Sequence, residues 1–287
     1  MPDQATFDAL ERSALQLRYD LLEMVGVGKA GHLGGSSSLA EVVAVLYFHK
    51  LRFNRDDPRD PTRDRFLLSK GHAVLIQYAA LCELGWFPRS ELQRVKSLEG
   101  LLQGHPDMAT PGIEAVTGSL GQGLSIGVGM ALAFRLDRKP NRVYVAMGDG
   151  ELSEGQLWEA AMSASRFKLD NLVGIVDCNK LQASGPTRDV FDIPDIGKKW
   201  DAFGWNVLEV DGHDVRQIVG ALDAAEGVKG RPTLIVANTV KGKCFSFAEH
   251  NAAFHNGILT NELYATAKAD LDRYAARLAG RREERRS

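Results

Sequence analysis

Apolar residues near the start of the chain recur at helical intervals: Leu10, Leu15, Leu17, Leu21 and Met24. That spacing predicts an amphipathic helix over residues 7–27. A glycine- and serine-rich stretch, GKAGHLGGSSS at 28–38, ends it. Ser37 or Ser38 then stands where a side-chain cap is expected for the next apolar helix, LAEVVAVLYFHKL. After the polar connector RFNRDDPRDPTRD, the run RFLLS at 65–69 reads as a short strand and residues 72–84 as a helix. Residues 98–120, LEGLLQGHPDMATPGIEAVTGSL, follow neither period, and a structureless stretch of that length inside a compact domain usually carries function. A helix with small residues along it returns over 121–136.

The second half alternates. VYVAM (143–147) and LVGIVD (172–177) are continuous apolar runs of the kind seen in strands covered on both faces, and EGQLWEAAMSASRF between them reads as a helix. NVLEV (206–210), a helix over 215–226 and TLIVAN (233–238) continue the pattern. Such alternation implies right-handed βαβ units. The fold class expected is α/β, a parallel sheet flanked by helices, in one domain over residues 1–258. Residues 259–287 form a C-terminal helix ending in RREERRS, a charge run expected to be solvated and frayed.

Composition narrows the class. The chain has 287 residues, 44% hydrophobic and 25% charged, with a net charge of −2, which describes a folded globular protein with no electrostatic reason to bind nucleic acid or an anionic membrane. No stretch reaches the roughly 20 apolar residues of a membrane span, and the acids in MPDQATFDALERSALQLRYD argue against a signal peptide. Cys82, Cys178 and Cys244 cannot all pair and lack metal-ligand spacing, so a reducing, cytoplasmic setting is expected.

Two features point to chemistry. The first is MGDGELSEG followed by VDCNKLQ. Both turns follow buried strands, so both belong at the carboxyl edge of a parallel sheet, where ligands of such folds bind. Asp149 offers a carboxylate and Asn179 an amide oxygen, hard donors suited to Mg²⁺ or Ca²⁺, and Gly148 and Gly150 let backbone N–H groups approach a phosphate. The plain alternative is two tight turns with no ligand. The second feature is four histidines beside glycine or asparagine, His32, His72, His105 and His255, which together suggest a polar cleft handling hydroxyls, protons or phosphate oxygens. His49 and His213 read as structural.

The joint pattern resembles the transketolase family. Gly31-His32-Leu33-Gly34-Gly35, Asp64-Arg65-Phe66-Leu67-Leu68-Ser69-Lys70-Gly71-His72-Ala73 and Gly104-His105-Pro106-Asp107 occur in transketolase order. So do Thr117-Gly118-Ser119-Leu120-Gly121-Gln122-Gly123, Gly148-Asp149-Gly150-Glu151 and Asp177-Cys178-Asn179-Lys180. The likeness runs from about residue 10 to 257 and covers the thiamine diphosphate-binding half of that family.

What the resemblance implies is specific. Asp149, Asn179 and the carbonyl of Leu181 would ligate Mg²⁺, with Ca²⁺ or Mn²⁺ as substitutes. The diphosphate would meet the Gly150 N–H, His72 and His255, and the Gly118-Ser119-Leu120 loop would lie along the aminopyrimidine. His32 and His105 would touch the sugar hydroxyls. Glu151 belongs to the cofactor-binding motif, while Glu154 and Glu159 match acids that link active sites across a dimer. Leu33 replaces a proline usual in the family and is expected to reshape the donor pocket, and His255 lies in FHNG rather than a histidine-glycine context.

A whole transketolase has three domains, and this chain matches the first. The middle domain brings the glutamate that activates the cofactor, so the expected protein is the N-terminal subunit of a split transketolase. It would move a two-carbon ketol unit from a ketose to an aldose only with a separately encoded C-terminal subunit, in a 2+2 heterotetramer. The competing readings are a 1-deoxyxylulose-phosphate synthase fragment, an oxo-acid dehydrogenase α chain, or a non-catalytic cofactor-binding module. The absence of G-x-G-x-x-G opening a helix after a first strand disfavours a Rossmann nucleotide-binding protein. The residues do not name the sugars.

Overall fold

The computed structural model describes residues 2–284. Five strands form the central sheet: β1 (Arg65–Leu68), β2 (Val143–Gly148), β3 (Leu172–Cys178), β4 (Asn206–Asp211) and β5 (Thr233–Asn238). All pair in parallel, in the order β1-β2-β3-β5-β4, so the α/β expectation holds. The register sets Gly148 beside Asp177 and Cys178 beside Asn238, which aligns the ends of β2, β3 and β5 at one carboxyl edge.

Period-two alternation divides the core into two layers. Phe66, Leu68, Tyr144, Ala146, Val173 and Ile175 belong to one apolar cluster, with side chains from helices Gln4–Val25, Val74–Glu83, Val215–Gly227 and Asn261–Glu284. Leu67, Val145, Met147, Leu172, Val176 and Leu234 belong to the other, with helices Gln122–Leu136 and Gly155–Arg166. Ala267, Leu271 and Leu278 of the C-terminal helix are buried in the first cluster, so this helix is part of the same core. It runs to Glu284; the last residues of the charge run, 285–287, lie outside the described residues.

Several local expectations need correction. Neither Ser37 nor Ser38 is the N-cap of a helix. The stretch Leu33–Ser37 is itself a helical turn, and the next helix, Ala40–Val45, starts after Leu39 with no side-chain cap. The Ser37 hydroxyl instead donates to the Lys243 carbonyl, and the Ser38 hydroxyl donates to Asp177. Tertiary acceptors hold both hydroxyls, and Ser38 Oγ also lies 3.1 Å from the Gly35 carbonyl. Leu33 is 1% exposed and lies in the core, next to His32 in the chain. His49 is exposed, whereas His213 is structural: its Nδ1 faces Glu41 at 2.9 Å and its Nε2 accepts from the Val240 N–H at 2.9 Å. Glu41 in turn holds the wholly buried Arg18 through both oxygens, at 2.6 and 2.8 Å. Among the described residues no helix is long and apolar enough to cross a membrane.

Candidate active site

Each predicted loop meets the others at the carboxyl edge, and close backbone contacts explain how. The chain after β1 turns at Gly71, where a Cβ would stand 2.6 Å from the Thr117 carbonyl, so only glycine lets the long 98–120 segment press against the His72 turn. That segment has no regular element beyond residue 94, yet it is anchored: Leu102 and Ile113 are buried and the Thr117 hydroxyl donates to the Leu68 carbonyl at 2.7 Å. A two-residue antiparallel pair, Ala30–Gly31 against Gly257–Ile258, brings the His32 and His255 loops together.

The four histidines therefore converge. Ring centroids lie 5.1 Å apart for His32 and His72, 5.5 Å for His32 and His255, 4.8 Å for His72 and His255, and 6.4 Å for His32 and His105. Burial pushes His32 down to about 4, helped by the Lys96 ammonium, and pushes His255 down to about 4, helped by Lys241. Burial, then Lys70, pushes His72 lower still, to about 2. At neutral pH these three are uncharged imidazoles, each with one donor and one acceptor, which suits hydroxyl groups.

Beside them, a cleft of about 250 Å³ is lined by Gly35, Lys70, His72, Leu120, Gly148–Glu151, Asn179, Leu181, Gln182, Lys241 and His255. Asp149 accepts from the Gly150 N–H at 2.8 Å and from the Lys180 N–H, so the carboxylate organises both turns. Burial first, then Asp177, pushes its carboxyl up to about 6. The Asn179 amide oxygen accepts from the Leu181 N–H at 3.1 Å, and the Leu181 carbonyl accepts from Lys241 Nζ at 2.8 Å. A Cβ at Gly150 would meet Gln182 Oε1 at 2.7 Å and Cβ at 3.0 Å, so a larger residue there would have to push the Gln182 side chain aside.

Other expected site residues take different places. Glu151 is buried, its oxygens accepting from Ser69, the Gly121 N–H at 2.8 Å and the Gly148 N–H at 2.9 Å; it staples strand ends together. Gly118 packs against His105, while Ser119 is exposed beside Leu120. Glu154 and Glu159 are exposed outside the cleft, at the start of helix Gly155–Arg166 and along it. Two residues went unassigned in the sequence reading, Lys70 and Lys241. Lys241 Nζ also lies 3.0 Å from His255 Nδ1, and burial, with Lys70 nearby, pushes it down to about 8. The available signal was a lysine-glycine pair just beyond a buried strand: Ser69-Lys70-Gly71 after β1 and Lys241-Gly242 after β5.

Residues 11–274 match the family model described as "Transketolase, thiamine diphosphate binding domain". The chain belongs to the transketolase family. It is similar to the 6-deoxy-6-sulfo-D-fructose transketolase subunit SqwG of Clostridium sp. (strain MSTE9), with 44% identity covering 93% of this chain and 98% of that one. It is 41% identical to human transketolase over 88% of this chain and 40% of the human one. Campylobacter jejuni transketolase superposes with a TM-score of 0.86 at 31% identity, covering 95% of this chain and 43% of that one. The α/β sheet is thus the cofactor domain of a transketolase-type enzyme, and thiamine diphosphate is the cofactor of this domain.

Proposed function

We propose that this chain is the cofactor-binding subunit of a split transketolase that transfers a two-carbon ketol unit from a ketose to an aldose. The observation carrying this reading is the meeting of His32, His72, His105 and His255 with Asp149, Asn179 and Lys241 at one carboxyl edge. The near full-length likeness to a protein named as a transketolase subunit supports a separate partner chain.

The residues fit the cofactor. Asp149, Asn179 and the Leu181 carbonyl would hold a hard divalent ion such as Mg²⁺, and Gly150, His72, His255 and Lys241 would meet the diphosphate. When bound, thiamine diphosphate supplies a nucleophilic thiazolium carbon for breaking and forming carbon–carbon bonds. The protein's part is to neutralise the diphosphate, hold the Gly118–Leu120 loop along the ring system, and orient the sugar hydroxyls with His32 and His105. The uncharged His32 imidazole suits that last task, because it can donate to one hydroxyl and accept from another.

Closed two-fold symmetry with the partner gives a 2+2 assembly, in which Glu154 and Glu159, exposed in the single chain, lie between two active sites. The test is ketose-to-aldose transfer by the purified chain with excess thiamine diphosphate and Mg²⁺, before and after adding the C-terminal subunit, with the mass of the complex measured. Transfer is expected only from the complex. Robust transfer by the isolated chain would refute the split-subunit reading.

A further inference from the structure

An asparagine amide has two ends of nearly equal shape and opposite chemistry. One that serves a cation needs something to keep its oxygen, and not its NH₂, toward the ion. Asn179 Nδ2 donates to Asp177 Oδ2 at 2.9 Å, while Oδ1 accepts from the Leu181 N–H at 3.1 Å. Reversing the amide would set NH₂ against an N–H and a carbonyl oxygen against a carboxylate, so Asp177, with the Leu181 N–H, sets the orientation.

Asp177 does not itself line the cleft. Its Oδ2 also accepts from Ser38 Oγ at 2.6 Å and from Lys70 Nζ, and its Oδ1 accepts from Thr239 Oγ. Three donors crowd Oδ2 and one meets Oδ1, and the residue is 0% exposed. Lys70 gives a further bond to the Gly35 carbonyl at 2.8 Å, so its charge is matched inside the fold although it lines the cleft. The donors come from segments following the His32 turn, β1, β3 and β5, which ties these strand ends into one hub.

We propose that Asp177, held by Lys70, Ser38 and Thr239, is the positioning residue that fixes the Asn179 amide oxygen toward the cation bound with thiamine diphosphate. This rests on the cofactor reading above. The test titrates Mg²⁺ into the complex with its partner at saturating thiamine diphosphate, read by calorimetry, with apo melting curves for every variant. If Asn179 were simply a ligand, Asn179→Asp would add a negative charge and hold or tighten Mg²⁺. If Asp177 orients it, the variant sets two carboxylates against each other, and Mg²⁺ affinity should fall about 10- to 100-fold, the usual loss when a ligand's outer partner is disturbed. Adding Asp177→Asn to Asn179→Asp restores one donor facing one acceptor and should recover several-fold of that loss. Unchanged or tighter Mg²⁺ binding in Asn179→Asp overturns the proposal, as does no recovery in a folded double variant. Should the single variant not fold, the proposal requires the double variant to fold and bind; failure of both overturns it. A wild-type complex that takes up no cofactor at any Mg²⁺ level would overturn the cofactor reading itself, a result separable from the variant series.

Discussion

Gly118 gives a direct route to the placement of His105. Its φ is 152°, a conformation that side-chain-bearing residues rarely adopt, and a Cβ there would stand 2.9 Å from His105 Cδ2 and 3.4 Å from Cγ. Ordinary contact begins at 3.4 Å, so in Gly118→Ala the ring must retreat by about half an ångström; a 1 Å misplacement at a reacting centre can cost about 10²-fold. The His105 backbone cannot follow easily, because its carbonyl accepts from the Tyr78 hydroxyl at 3.0 Å. Turnover efficiency should therefore fall on the order of 10-fold, with a separate stability cost of about 1–3 kcal/mol from the forced backbone. The assay is steady-state ketol transfer by the complex at saturating thiamine diphosphate for Gly118→Ala, His105→Ala and the double variant. If both changes act through one imidazole, the double variant should be no slower than His105→Ala alone. Wild-type kcat/KM in a folded Gly118→Ala, or losses that simply multiply, would refute the reasoning.

Two further perturbations probe other parts of the structure. Asp149→Ala should abolish Mg²⁺-dependent cofactor binding, and Asn179→Ala should weaken it less because a neutral donor is lost; calorimetry showing wild-type affinity in Asp149→Ala would remove the metal assignment. Arg18→Met leaves the Glu41 carboxylate buried with His213 as its remaining hydrogen-bond partner, which should cost about 3–5 kcal/mol. Scanning calorimetry should then show a melting temperature lower on the order of 10 °C for a chain of this size, and a change of only a degree or two would mean that this ion pair contributes little.

Much of the scaffold was legible because its signals are local. VYVAM and LVGIV carry no charged residue, the pattern of a strand covered on both faces, and β2 and β3 fall there. The Gly148-Asp149-Gly150 turn and Asn179 follow those strands directly, so a parallel sheet put them at one edge without further information. The 98–120 stretch announced itself by lacking any period, and it carries His105 and Gly118. Capping by Ser37 or Ser38 misled because a serine next to an apolar run has the same local signature whether its hydroxyl caps a helix or reaches a distant acceptor.

The sequence by itself determined which segments become strands and helices, where the acidic turn and its asparagine fall, and which histidines stand in loops. Those properties follow from side-chain chemistry and periodicity within a few residues. Only the tertiary structure decided that His255 joins His32 and His72. The pairing that brings it there, Gly31 with Gly257, is two residues long and spans most of the chain, too short to leave a pattern. The same holds for charge. Lys70 and Asp177 neutralise one another across 107 positions, and the imidazoles are uncharged because other parts of the chain bury them. Desolvation and long-range pairing depend on what surrounds a group in space, and neighbours along the chain do not specify that.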